Sequence, residues 1–390
     1  MSQSTKSAFV ATSVLMIGVV YGHGGDAAQM LHLADELQQS GHDVSVIVPV
    51  LPTTVELARR AAQRGVSLRR SRLLTSARWS PLGQALLWAE IRFRYRPDVL
   101  HFHTGDICLP RRITMFLRWT GRRRSVIVTV QSAQVGIDRT EPKMRNWLAE
   151  APRRVAAIVA PSRHGTEAQI AAGIPASTVH TIYNGIPTTA FAAGDGDRPR
   201  KELGLSGEHR LLLFSSRLDD TKQPLVVFEA FRRVAVEFPE VHLAFVGSGE
   251  LEEQLREAVS LAGLAPRVHL LGYRSDVADW LAACDVWLLP TLSENFSLAV
   301  LEAMAAGCAI VSTNCQGNDE VLVDRHNALL SEPTDVDGFC AAVRQSLADA
   351  ALAAAIARQA QLDVATFTTE RMAREYGDLY GRLAIPRSQS

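Results

Sequence analysis

The sequence predicts an α/β protein made of two doubly wound, parallel-sheet domains. Three observations carry this. At 390 residues the chain is too long for one ordinary core. Short buried-looking strands alternate with amphipathic helical stretches nearly throughout. The alternation breaks once, in the Gly/Pro-rich stretch YNGIPTTAFAAGDGDRPRKELG at 183–204, and then restarts, which is where a linker is expected. With 47% hydrophobic and 21% charged residues, the composition is that of a folded, soluble protein and of neither a disordered nor a fibrous one.

Taken in order, SVLMIGVV (13–20) reads as a buried strand, and DAAQMLHLADELQQSG (26–41) as a helix with a closing glycine. The opening residues carry one lysine and an apolar run far short of a membrane span, without a small-residue cleavage site, so a first strand is expected in preference to a signal peptide. DVSVIV (43–48), DVLHFH (98–103), SVIVTV (125–130) and VAAIVA (155–160) repeat the strand theme. After the break come RLLLFSS (210–216), VHLAFVG (241–247), RVHLLG (267–272), DVWLLP (285–290) and CAIVST (308–313). The last segment, TTERMAREYGDLYGRL (368–383), reads as a capped amphipathic helix that crosses back to brace the first domain. The expected domains are therefore 1–190, joined by 368–390, and 205–367.

Five scattered cysteines (Cys108, Cys284, Cys308, Cys315, Cys340) show neither a paired framework nor a metal spacing, which fits a reducing cytoplasm. The formal net charge of zero hides a split. Residues 1–190 hold 23 Lys+Arg against 12 Asp+Glu, and the remainder holds 18 against 29. A basic half suggests an anionic partner: a membrane surface, a phosphorylated ligand or nucleic acid.

The loops after the strands carry the chemistry, because ligands of doubly wound sheets sit beyond the strands' carboxyl ends. In YGHGGDAAQ, Gly24 and Gly25 open a helix, and paired glycines either let backbone approach an anion there or simply make a tight turn. The motif is not GxGxxG, and no acid clearly ends the second strand, so a dehydrogenase is disfavoured. SSRLDDTKQP (215–224) offers Arg217 and Lys222, two cations in a strand-to-helix loop that can hold a diphosphate or stand solvated. FVGSGE (245–250) adds Gly247 and Gly249, where backbone can lie close to a ligand. In SENFSLAVLEAMAAGCAIVS (293–312), Glu294 and Glu302 flank an apolar run. As one helix, 294–302 would set those carboxylates roughly 12 Å apart on different faces. A loop before a helix starting near Ser297 fits better, with Glu302 about a turn inside and the amides of Leu298 and Ala299 facing an anion.

ENFSLAVLEAMAAGCAIVST, with two glutamates separated by seven residues, resembles the signature of family 4 retaining glycosyltransferases of the GT-B fold, and RLDDTKQ resembles the Arg and Lys element that precedes it. The match continues in order through GG, DVLHFH, APSRHG, YNGI, FVGSGE, LGYRSDV and GNDEVL, over most of the chain. The resemblance implies two facing Rossmann-like domains, the first binding the acceptor and the second the nucleotide sugar. It implies that Arg217 and Lys222 bind the nucleotide diphosphate, assisted by the glycine pair, and that Glu294 contacts donor-sugar hydroxyls and Glu302 the ribose. His103 is implied beside the donor sugar at the reaction centre, backbone near Tyr273 and Arg274 at the base, and Glu320 near the donor sugar. Asn295, Phe296 and Ser297 are carried over with the donor loop, and Gln131, Ser162 and Arg163 with the acceptor side. The chain departs from the pattern at Ser297 and Gln223, where the family often has Gly, and at Gln131, where it often has His.

What the resemblance implies for function is transfer of a hexose from a UDP- or GDP-sugar to an acceptor hydroxyl with retention. The departing phosphate helps to deprotonate the acceptor, and no metal or cofactor is expected. The basic clusters RRSR (69–72), RFRYR (92–96) and RRITMFLRWTGRRR (111–124) mix arginine with aromatic and aliphatic residues, which suits anionic lipid headgroups. A lipid-linked saccharide acceptor at the inner face of the membrane is favoured. A soluble sugar phosphate, cyclitol or aglycone is the alternative, as is a nucleotide-sugar 2-epimerase of the same fold. No nucleic-acid recognition module is visible.

Overall fold

The structure, a computed structural model, describes residues 11–19, 25–74, 81–120, 125–132 and 141–383. The chain divides into two compact units, Met1–Gly185 with Thr369–Ser390, and Ile186–Thr368.

In the first unit the described strands are β1 (Ser13–Val19), β2 (Asp43–Pro49), β3 (Ser67–Ser71), β4 (Val99–Thr104), β5 (Ser125–Val130), β6 (Ala157–Ala160) and β7 (Val179–Thr181). They pair in parallel in the order β3-β2-β1-β4-β5-β6-β7. The apolar run of β1 is continuous because both of its faces are covered. Val14 and Met16 join one core with Met30 and Leu33 of the helix Gly25–Gln39, while Leu15 and Ile17 join another with Phe102 and Trp147. That first strand is thus central to the sheet. The helix Thr369–Leu383 belongs to this unit and packs on Gly25–Gln39, burying Met372, Tyr376, Leu379 and Tyr380 at helical spacing.

The second unit holds β8 (Arg210–Ser215), β9 (Val241–Val246), β10 (Val268–Leu270), β11 (Val286–Leu289), β12 (Ala309–Thr313) and β13 (Leu329–Ser331). These are also parallel, in the order β10-β9-β8-β11-β12-β13. In each sheet the strand order reverses once, between β1 and β4 and between β8 and β11, and those switch points are where an α/β sheet opens a crevice.

The stretch 183–204 is not a linker over most of its length. It folds into two short helices, Thr188–Ala192 and Asp197–Glu202, inside the second unit, and the division falls between Gly185 and Ile186. Its glycines serve packing: a β-carbon at Gly194 or Gly196 would come within 2.3 or 2.6 Å of the carbonyl oxygens of Ala278 and Ala282. Arg200 pairs with Asp285 at 2.8 Å and fixes the same contact.

Candidate active site

At the second switch point, the loop after β8 and the loop after β11 bring Lys222 and Glu294 into an ion pair, Nζ to Oε1, with only 12% and 10% of the two side chains exposed. The loop after β8 is folded around Asp219, whose Oδ1 accepts from the Lys222 amide at 3.0 Å and whose Oδ2 pairs with Arg217 at 2.9 Å. Arg217 itself is 69% exposed and reaches outward. Gln223 follows in a left-handed conformation, φ 50° and ψ 54°, and caps the helix Pro224–Val234. This accounts for glycine being common there.

Gly247 and Gly249 bring two loops of the protein backbone to backbone. A β-carbon on either would lie 1.9 Å from the Ser216 oxygen or 2.2 Å from the Leu218 oxygen, so they allow the loop after β9 to press backbone to backbone on the loop that carries Arg217. Leu218 N donates to Ser248 O at 3.1 Å across this contact.

The segment holding Glu294 enters the helix Leu298–Ala306 at Ser297, which has extended backbone and makes no side-chain cap bond. The first amides of that helix, Leu298 and Ala299, are therefore offered without an internal acceptor and are half-buried. Glu302 is half-buried on the same helix, four residues beyond Leu298, as the loop-before-helix reading requires. Phe296 is a correction to the donor-contact set. Its ring is buried against Phe367, with centroids 5.4 Å apart, so the side chain belongs to the core. Asn295 beside it is half-buried.

The loop after β12 closes against this segment. Glu294 N donates to Gln316 O at 3.0 Å, and Gly317, with φ 89°, leaves no room for a β-carbon against the Glu294 oxygen. Asn318 pins the loop through Ser312 and Thr313, and Glu320 lies half-buried further along it. Cys315 is buried beside the ion pair, its thiol pushed up to about 11 by burial and then by the Glu294 carboxylate. Asp219, Cys315, Gly317 and Asn318 were not singled out from the sequence, although GNDEVL contains the last two of them.

Tyr273 is half exposed, whereas Arg274 is committed within the protein. Its guanidinium pairs with Glu202 at 3.0 Å and Asp276 at 2.8 Å and lies over the Trp280 ring, and the Asp276 hydrogen bond holds its pKa above the ordinary value.

At the first switch point, His103 is the penultimate residue of β4, in register with Gly18 of β1 and Thr129 of β5. It is 2% exposed, and among the described residues neither ring nitrogen has a hydrogen-bond partner. Burial lowers its pKa to about 3, so the imidazole is neutral. Its ring lies tilted against that of His101, centroids 4.0 Å apart, and His101 bonds the Tyr380 hydroxyl through Nδ1 and Thr129 Oγ1 through Nε2, both at 2.7 Å. Thr129 Oγ1 continues to the Tyr376 hydroxyl at 2.8 Å. His101 is satisfied and structural; His103 is the imidazole with both nitrogens to spare.

Gly25 starts the helix Gly25–Gln39, and Gly24 lies outside the described residues. The first turn of that helix already contains a carboxylate, Asp26, accepting from Ala27 N at 2.9 Å. Gln131 exchanges amide hydrogen bonds with Asn184, at 3.2 Å from Asn184 Nδ2. Ser162 is fully buried and caps the helix Arg163–Ala172 through Gly165 N at 2.9 Å, a structural role in place of the acceptor contact expected. Arg163, one residue on, is exposed. Among the described residues no three His, Cys, Asp or Glu side chains are gathered as metal ligands.

Comparison with known proteins places this geometry. The profile of the Glycosyltransferase Family 4 domain matches residues 23–190, and that of Glycosyl transferases group 1 matches 195–363. The chain belongs to the family 4 glycosyltransferases. Among characterised members of this glycosyltransferase group, it is 25% identical to N-acetyl-alpha-D-glucosaminyl L-malate synthase of Bacillus anthracis, over 92% of this chain and 93% of that one. It is 28% identical to phosphatidyl-myo-inositol mannosyltransferase of Mycolicibacterium smegmatis, over 84% and 82%. The fold is that of Anabaena HepE, solved with UDP and with UDP-glucose, at TM-score 0.81, 19% identity and coverage of 95% and 100%. The two Rossmann-like units are therefore those of a GT-B glycosyltransferase.

Proposed function

We propose that this glycosyltransferase moves a hexosyl group, with retention, from a nucleotide diphosphate sugar to a hydroxyl of a lipid-linked saccharide. The observation that carries the donor half is the convergence at the β8/β11 switch point of Lys222, Glu294 and the uncapped amides of Leu298 and Ala299. On binding, the diphosphate takes Lys222 from Glu294 and draws in the exposed Arg217, and the freed carboxylate turns to sugar hydroxyls. Fixed cations and amide dipoles then stand where the leaving phosphate gains charge, and the reading invokes no metal. UDP is favoured over GDP because the similar HepE fold was solved with UDP and UDP-glucose.

His103 supplies the other half. A neutral imidazole with two unused nitrogens is suited to hydroxyls, accepting from one and donating to another, without bringing charge. The lipid-linked acceptor is supported by the similarity to the phosphatidyl-myo-inositol mannosyltransferase and by the basic first unit. The malate-glycosylating relative supports the second reading, a soluble small acceptor. Under either reading the enzyme works in the cytoplasm. Incubation with a panel of UDP- and GDP-sugars, with and without lipid-linked or soluble acceptors, tests this. Free nucleotide together with a new α-glycoside is expected. Release of a free sugar epimer without an acceptor would reject transfer in favour of epimerisation.

A further inference from the structure

We propose that the helix Pro81–Glu90 and the π-helical turn Ile91–Tyr95 form the face by which the first unit rests on an anionic phospholipid bilayer, an inference that rests on the lipid-linked acceptor reading above. The segment buries one side through Leu87 and Ile91, at 1% and 0% exposure. Its other side is apolar too. Leu82 and Leu86, one turn apart, are 69% and 51% exposed, and Phe93 is 68% exposed. The solvent face of a helix is ordinarily polar, so three large apolar side chains on one short segment mark a surface that something covers.

Charge identifies the cover. Arg92, Arg94 and Arg96 alternate with Phe93 and Tyr95 and are exposed, the first two lying over those rings at 5.8 and 5.7 Å. Arg111, exposed at the start of a helix packed against Pro81–Glu90, adds a fourth cation. The first unit as a whole carries 27 Lys+Arg against 15 Asp+Glu, and the second 14 against 26. Leucine and phenylalanine inserted at acyl-chain level with guanidinium groups at the phosphates is the arrangement of an interfacial helix. A second copy meeting this face about a two-fold axis would set these arginines against each other.

The test is co-sedimentation of the full chain with vesicles of phosphatidylcholine alone and of phosphatidylcholine mixed with phosphatidylglycerol. Binding to the anionic vesicles only, weakened by salt, is expected. The variants R92E/R94E and L82S/L86S/F93S should each lower the partition coefficient by ~10–100-fold. The control V236S/L261S, at sites 88% and 90% exposed in the second unit, should leave it unchanged. Equal binding to both vesicle types, no binding by the parent chain, or full binding by both variants overturns the inference. So does a dimer in solution that L82S/L86S/F93S dissociates while vesicle binding persists. Release of free nucleotide is read in parallel. A chain that glycosylates a lipid-linked acceptor in detergent yet ignores vesicles overturns this surface alone. One that binds vesicles but glycosylates only soluble acceptors overturns the acceptor reading instead.

Discussion

At the switch point of the first unit stands His103, an imidazole held neutral by burial, with neither nitrogen bonded among the described residues. At the corresponding place in the second unit stands an ion pair, Lys222 with Glu294, beside the exposed guanidinium of Arg217. One topology has been furnished with uncharged hydrogen-bonding capacity in the first case and with fixed charge in the second. Under the proposed function the difference follows what each would meet. A hydroxyl-bearing acceptor is recognised by groups that can both donate and accept, whereas a diphosphate needs cations whose own charge is balanced until it arrives.

The largest effect that would break this contrast is expected at Lys222. Lys222→Ala should lower turnover by about 10²–10³-fold, the usual loss when one charged donor to a leaving group is removed. Nucleotide release by the variant measures it, with circular dichroism to check the fold, and near-normal turnover would remove the assignment. His103→Leu is expected to lower turnover by ~10–100-fold while raising stability by ~1–2 kcal/mol, because the unbonded buried nitrogens leave with it. Paired activity and thermal-melt measurements decide this, and a variant that is both less active and less stable would mean that His103 is an ordinary core residue.

Acid should separate the two units. His32 and His103 are lowered to about 3 by burial, and His101 well below its ordinary value. The unfolded chain therefore binds more protons than the folded one below an imidazole's usual value. The stability concerned is fully present above pH ~6.5 and is lost as pH falls toward 3, at about 2 kcal/mol per buried histidine by pH ~5. Hydrogen exchange across this range should show the first unit opening before the second, where the lowered histidines, His242 and His269, are both partly exposed. The smallest effect is at Gln223. Replacement by glycine should stabilise the second unit by ~0.5–1 kcal/mol, the left-handed strain relieved less the entropy that glycine adds to the unfolded chain. A denaturant titration reads it.

The central strands were legible because both faces of each are covered, which writes them as unbroken apolar runs such as SVLMIGVV and SVIVTV. Three edge strands were not. β3 is SLRRS, and β7 and β13 are three residues each, at the margins of their sheets, where one neighbour is missing and no apolar run is required. The loops that carry Lys222 and Glu294 were legible as segments following apolar strands, and the two charges by type and order. Their pairing with each other was not, because it depends on the register of β8 against β11. Ser162 and Phe296 show the converse: a motif position can be kept by a helix cap or a packed ring, and sequence order alone does not tell those from contact with substrate.

Because Thr369–Leu383 belongs to the first unit, that unit can be completed only after the whole of the second, Ile186–Thr368, has been translated. Until then His101 lacks Tyr380 and Thr129 lacks Tyr376. The second unit can mature alone during synthesis, while the unit holding His103 waits for that helix. A chain lacking the last two turns of that helix would keep the Lys222–Glu294 pair and lose the Tyr380 partner of His101.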